Sequence, residues 1–316
     1  MTTCSGVAGP AEALALLSLP ETRLFAQAAA LRSAAFGNAV SLCAIINARS
    51  GDCSMDCRFC SQSRHNGAPV EVFPLLPDAA LRDRILALAR LPVARVGIVT
   101  SGAALGGREL ERLCRVISDL PEDVRGRVCA SLGRLPEADL RALRAAGLTR
   151  FHHNLETARR HYPAICSTQT WEQRRETVAQ AQAAGMSVCC GGLFGMGETW
   201  EDRVDFAFSL KALGVRHVPM NFLHPHPGTP LAGRPPLAAG EALRVIAVFR
   251  HVMPQATLRV CGGRPLALGA RQAEIFAAGA NALMTGDYLT TQGQAIAQDL
   301  AMIRPLGLEV RRDTAF

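Results

Sequence analysis

The chain has 316 residues, 49% of them apolar, and a formal net charge of +7 in which a single lysine, Lys211, stands among 34 basic residues. That composition supplies a sizeable core, and it excludes a Walker-type phosphate loop, which needs a Gly-Lys-Ser/Thr sequence. Lys211 lies in FSLKALGV, an ordinary amphipathic helix end, which argues against Schiff-base chemistry.

No run approaches the ~20 apolar residues of a membrane span. The opening MTTCSGVAGPAEALALLSLPETR lacks the basic start of a signal peptide. No basic run of the kind that tracks phosphates is present. The expectation is a cytoplasmic protein with neither a nucleic-acid nor a membrane partner. Eleven cysteines in such a chain suggest metal or catalytic use more than disulfides.

In chain order, residues 1–36 read as a helical extension. A short β-like run then alternates with helical stretches. The strands are expected at 41–47, 95–100, 127–131, 150–154, 187–194, 217–222, 257–261 and 281–285. Between them lie patterns such as LRDRILALARL, GRELERLCRVISDL, EADLRALRAAG, WEQRRETVAQAQAAG, WEDRVDFAFSLKALG and LGARQAEIFAAG. Gly147, Gly185, Gly214 and Gly279 fall where helix C-caps belong. Eight strand–helix units imply an α/β fold of the (β/α)8 TIM-barrel type over 37–310, with a tail at 311–316. In such a barrel the chemistry sits at the C-terminal ends of the strands.

Just past the first strand, GDCSMDCRFCSQS carries Cys53, Cys57 and Cys60 at C-x3-C-x2-C spacing. Three thiolates from one loop can hold three irons of a [4Fe–4S] cluster and leave the fourth iron open. A structural zinc site wants four protein ligands, and no second C-x2-C pair exists in the chain.

This loop resembles the C-x3-C-x-aromatic-C signature of radical S-adenosylmethionine (SAM) enzymes, with Phe59 as the aromatic residue. The resemblance implies that SAM chelates the open iron and is cleaved reductively to a 5′-deoxyadenosyl radical. RVCASLG, HHNLET, TWEQRRETV, SVCCGGLFGMGET, VPMNFLHPHPGTPL, LRVCGGR and FAAGANALMTGDYLTT extend the resemblance, from about residue 12 to about 310, to the biotin synthase family. It implies sulfur insertion into dethiobiotin, with a flavodoxin or ferredoxin as reductant and a homodimer.

That family uses an auxiliary iron–sulfur cluster as the sulfur source. Inward-facing Cys129, Cys189 and Cys261, on the third, fifth and seventh predicted strands, are its candidate ligands. Thr100 stands where the family has a cysteine on the second strand, while Arg259 matches the family's arginine. The expectation is therefore a rebuilt cluster, [2Fe–2S] or larger and possible as a [4Fe–4S]-like form, with Cys190 as a candidate extra ligand. Adjacent strand residues point to opposite faces, so Cys189 and Cys190 should face the same way only if the strand bulges.

By the same resemblance, Asn154 and Asn221 hydrogen-bond the ureido ring of dethiobiotin, Glu156 meets the SAM ribose, and Arg174 lies near the SAM carboxylate. His152, His153, His224 and His226 form no metal motif, and Cys4, Cys43, Cys114 and Cys166 read as incidental. Two other readings stay open at this stage. One is a sibling radical SAM enzyme of maturase or mutase type. The other is a non-catalytic iron–sulfur or zinc protein.

Overall fold

The structure, a computed structural model, describes residues 6–312, so Cys4 and residues 313–316 of the expected tail lie outside the described residues. Its strands are β1 (Ala39–Arg49), β2 (Arg95–Thr100), β3 (Val128–Ser131), β4 (Arg150–His152), β5 (Ser187–Cys189), β6 (Gly192–Phe194), β7 (His217–Phe222), β8 (Thr257–Val260), β9 (Ala282–Met284) and β10 (Glu309–Arg311). Neighbours pair in the order β10-β1-β2-β3-β4-β5-β7-β8-β9, all parallel, and β9 pairs back onto β1 through Ser41–Ala282 to Cys43–Met284. With β5 and β6 counted as one interrupted stave, the result is a closed eight-stave (β/α)8 barrel. A ninth position is filled by β10, which adds to the N-terminal end of β1 and ends at Arg311, the first residue of the expected tail.

Each expected strand is present, but the one at 187–194 is broken in two. The break has a steric cause. A Cβ on Gly191 would stand 1.9 Å from the Pro219 carbonyl oxygen, and one on Gly192 2.1 Å from that of Glu156. The two glycines let the chain press against β7 on one side and the turn after β4 on the other.

Alternation along β1 separates two environments. Val40, Leu42, Ala44, Ile46 and Ala48 join the apolar layer beneath the helices. The intervening Ser41, Cys43, Ile45, Asn47 and Arg49 belong to the opposite, inward face. The covering helices include Asp78–Arg90, Gly107–Ser118, Glu137–Ala145, Trp171–Ala183, Trp200–Ala212 and Ala239–Val252. Two of them start with a capping box, Thr170 with Gln173 and Thr199 with Asp202, which satisfies two otherwise orphaned N–H groups each. The four expected cap glycines all take positive φ. The helix expected at 268–279 is instead a short helix, Arg264–Leu268, followed by a 3-10 segment, Gly269–Ile275, because Gly269 turns the chain at φ +50°. Lys211 is on the Trp200–Ala212 helix with its ammonium 5.4 Å from the Phe208 ring centre, remote from the barrel interior. The N-terminal helix Glu21–Phe36 packs on Ala239–Val252.

Replacing Gly192 by alanine is expected to lower stability by ~3 kcal/mol or more, because the new methyl meets backbone that cannot move aside. Gly214→Ala, whose methyl would meet nothing within 4 Å, should cost only the ~1–2 kcal/mol of its left-handed backbone. Denaturant midpoints of the two variants would separate the effects.

Candidate active site

The barrel encloses a cavity of about 420 Å³ that opens at the C-terminal ends of the strands. Its mouth is the loop after β1. There Cys53 N–H donates to the Gln62 carbonyl at 2.9 Å, and the Gln62 side-chain oxygen accepts from Gly51 N–H at 3.1 Å. The Asn66 amide donates to the carbonyls of Cys57 and Cys60 at 3.1 and 2.8 Å. These bonds fix the loop so that Cys53, Cys57 and Cys60 all line the cavity. Burial pushes the Cys60 thiol up to about 11. Opposite this loop, Ser61 bonds Thr290 at 2.8 Å and the Asn47 amide donates to the Leu289 carbonyl at 2.9 Å, so the 287–291 segment closes one side of the mouth.

A residue that the sequence reading set aside sits here too. Cys166 Sγ is 3.8 Å from Cys57 Sγ and donates to Asp56 at 3.1 Å. The Cys57 hydrogen bond lowers the Cys166 thiol to about 6 and raises that of Cys57. Spacing along the chain carries no signal for this pair, since the two residues are 109 positions apart.

The middle of the cavity carries the residues after β4. Glu156 takes a left-handed backbone at φ +70°, rare for a residue with a Cβ, and such strain concentrates at functional sites. Its carboxylate pairs with Arg174 at 3.0 Å, both side chains nearly buried. Burial raises the Glu156 pKa against the pull of Arg174. For Arg174 burial opposes the charge, but Glu156, Tyr162 and Cys57 together outweigh it and the pKa rises. Asn154 accepts from Gly191 N–H at 3.1 Å. Asn221 accepts from Gly262 N–H at 3.0 Å and donates to the Gly192 carbonyl at 3.1 Å. The same close approach that breaks the fifth stave thus anchors both asparagines. Asn221 keeps one N–H and one lone pair for a ligand.

Deeper along the staves, Cys129, Cys189 and Cys261 line the cavity, and Cys43 joins them from β1. Burial raises the thiols of Cys129 and Cys261 and takes Cys189 to about 12. Arg95, Arg150 and Arg259 line the same level, and burial brings Arg150 down to about 10. Thiols that resist ionisation beside cations that resist burial are a matched set once the thiols become thiolate ligands. The chemistry of the donors therefore fits a buried iron–sulfur cluster. Among the described residues no three His, Cys, Asp or Glu side chains converge as one bound ion would require. Cluster thiolates bind different irons and stand apart.

Cys190 is not brought to this cavity. It is fully buried in the apolar layer under the helices, on the face opposite Cys189, as alternation without a bulge dictates. Thr100 lines the cavity with its hydroxyl buried and unpartnered. Of the histidines, His152 and His153 line the cavity, and burial lowers both, His152 to about 4, so they are neutral at ordinary pH. The GMGET stretch is a structural turn, in which buried Glu198 accepts from Gly195 and Met196 N–H, both at 2.8 Å, and pairs with Arg203.

Comparison with known proteins places this geometry in context. Residues 49–210 match the radical SAM superfamily, and residues 219–309 match the biotin and thiamin synthesis associated domain. The chain is 67% identical over 313 residues to a biotin synthase of Desulfovibrio desulfuricans, covering 99% of each. It is 48% identical over 318 residues to a biotin synthase of Nitratidesulfovibrio vulgaris, covering 96% of this chain and 86% of that one. Among solved structures, a methylornithine synthase superposes with TM-score 0.82 at 20% identity, covering 96% of this chain and 94% of that one. A maturase of the [FeFe]-hydrogenase gives TM-score 0.82 at 17% identity, over 98% and 74%. At such identities the structural likeness establishes the barrel alone.

Glu156→Ala strands a buried guanidinium and is expected to cost ~3–5 kcal/mol of stability. Glu156→Gln keeps an oxygen to accept from Arg174 and should cost markedly less. Urea unfolding of the pair would check the order.

Proposed function

The chain belongs to the biotin synthase family of radical SAM enzymes, and from that premise we propose how its own residues share the conversion of dethiobiotin to biotin. The observation that carries this reading is vertical. One cavity holds a three-cysteine loop at its mouth, two asparagines midway and a set of thiols below.

Cys53, Cys57 and Cys60 hold three irons of a [4Fe–4S] cluster and leave the fourth to SAM. When bound, SAM on that cluster supplies a 5′-deoxyadenosyl radical, and the auxiliary cluster supplies sulfur, chemistry beyond any side-chain acid or base. Arg174 presents a guanidinium fork suited to the SAM carboxylate, and Glu156, held by Arg174, an acceptor for the ribose hydroxyls. Asn154 and Asn221 face the ureido ring, where an amide can both donate and accept. Cys129, Cys189 and Cys261 hold the auxiliary cluster, with Arg95, Arg150 and Arg259 balancing its charge. The 287–291 segment and the cysteine loop limit water entry, which protects a carbon radical.

The catalytic unit is residues 37–310, and of the N-terminal extension the helix Glu21–Phe36 packs on the outer helix Ala239–Val252. Resemblance supports a flavodoxin or ferredoxin as reductant, a homodimer and a cytoplasmic setting. A net charge of +7 favours an acidic electron donor. The three-cysteine loop argues against a non-catalytic reading because it leaves one iron without a protein ligand. A sibling enzyme with another substrate would have no call for the lower thiols beside both asparagines.

Anaerobic protein given SAM, a reductant and dethiobiotin is expected to yield 5′-deoxyadenosine and biotin, read by mass spectrometry. Cys53→Ala should abolish both, and exposing the reconstituted protein to air should do so progressively. 5′-Deoxyadenosine without biotin would return the substrate assignment to a sibling enzyme.

A further inference from the structure

We propose that Cys43 is the fourth thiolate of the auxiliary cluster, in a set with Cys129, Cys189 and Cys261, and that Arg259 neighbours the cluster without ligating it. This rests on the auxiliary-cluster reading above and specifies its ligands.

The first support is position. Cys43 is on the inward face of β1, one step above Ser41, whose hydroxyl accepts from Arg259 Nη2 inside the barrel at 3.1 Å. Its outward neighbours Leu42 and Ala44 belong to the apolar layer under the helices. Cys43, Cys129, Cys189 and Cys261 come from β1, β3, β5 and the residue just past β8, the first, third, fifth and seventh staves. Side chains of one layer in a (β/α)8 barrel come from alternate strands, four to a layer. Each odd stave thus supplies one inward cysteine; the pairing registers set Arg259 level with Cys43, Cys129 and Cys189, and Cys261 stands two residues beyond Arg259 on the same inward face, toward the mouth.

The second support is what β2 offers instead. Its inward residue beside Cys129 is Gly97, where a Cβ would stand 3.0 Å from Ile45 Cγ2 and 3.5 Å from Cys129 Sγ. The second stave has no side chain to contribute there, and one added would press on the Ile45 methyl.

The third support is the state of the arginines. Arg259 spends Nη1 on the Ser41 and Leu283 carbonyls, both at 3.3 Å, and Nη2 on the Ser41 hydroxyl. Arg95 donates to the Gly126 carbonyl and the Thr149 hydroxyl, both at 3.0 Å, and its buried Nε has no partner. Arg150 reaches the Ser187 hydroxyl at 3.0 Å. None of the three joins an ion pair with a carboxylate among the described residues. Three guanidinium groups buried without a counter-ion call for anionic charge in the cavity they line. Four thiolates on a cluster supply it, and they release Arg259 from acting as a ligand.

The test uses the full chain with Cys53, Cys57 and Cys60 replaced by alanine, reconstituted anaerobically with ferrous iron and sulfide. Iron and sulfide per chain and the Mössbauer spectrum are measured. Adding Cys43→Ala is expected to cut bound iron at least about twofold and to change the spectrum, since a cluster iron loses its thiolate. Cys190→Ala, on the far face of the fifth stave, serves as the matched control and should leave both unchanged. Circular dichroism reports folding. Cys43→Ser keeps the shape of the side chain and should alter the spectrum of one iron site even if Cys43→Ala unfolds. Unaltered iron content and spectrum in folded Cys43→Ala or Cys43→Ser overturns the assignment of Cys43 and leaves the auxiliary site standing. A parent that binds no iron overturns the auxiliary-cluster reading itself.

Discussion

Closure of β9 onto β1 is the constraint on which everything else in this molecule depends. It converts a run of strand–helix units into an enclosed interior, and it sets Cys43 opposite Met284 across the seam. It also places the loop after β1 over the cavity mouth, against the segment after β9 that Ser61 and Asn47 reach. An open sheet of the same strands would leave the buried arginines near water and the thiols without a common centre. Parallel pairing throughout gives all the staves one direction, so their C-terminal ends gather at one mouth.

The cavity is costly to build, and the costs lie where the chemistry is. Glu156 is held in a left-handed backbone, the fifth stave is broken at two glycines, and three guanidinium groups are buried without carboxylates. Elsewhere local rules are obeyed: capping boxes start two of the outer helices, and apolar residues alternate cleanly along β1. Departures from local consistency gather at functional sites because a folded scaffold can hold them there. The buried pair Arg264–Asp299, at 2.7 Å and fully enclosed, gives one buried arginine a carboxylate, whereas Arg250, equally buried, is met by the Gly279, Pro254 and Ala256 carbonyls and by Asn281. What sets Arg95, Arg150 and Arg259 apart is that they line one cavity together with the thiols.

Much of the fold was legible in the sequence. Strand positions and most outer helices follow from short β-branched runs alternating with helical periodicity, and the C-x3-C-x2-C loop stands out by its spacing, its radical SAM chemistry being what the family resemblance implies. The misses have physical reasons. The 268–279 pattern has helical periodicity, but Gly269 breaks it. The pairing of β10 with β1 depends on a contact about 270 residues away and leaves no local trace. Cys166 meets Cys57 only because two loops converge. Cys43 was different: its inward face and odd stave could both be inferred from the pattern that singled out Cys129, Cys189 and Cys261. Cys190 was kept as a candidate ligand on condition of a bulge, and the structure follows the alternation without one, which turns its side chain to the apolar layer.

By itself, the sequence determined which residue types the chemistry can use and in what local spacing. It fixed the cluster loop, the alternation of strand and helix, and the family motifs, because these rest on short-range periodicity and ligand spacing. Tertiary structure decided which distant side chains share one cavity. It put four cysteines from four staves on one inner surface, set three arginines beside them without carboxylates, and folded Glu198 back to support its own turn. Those outcomes depend on strand register and barrel closure, and both are settled by contacts between residues far apart in the chain.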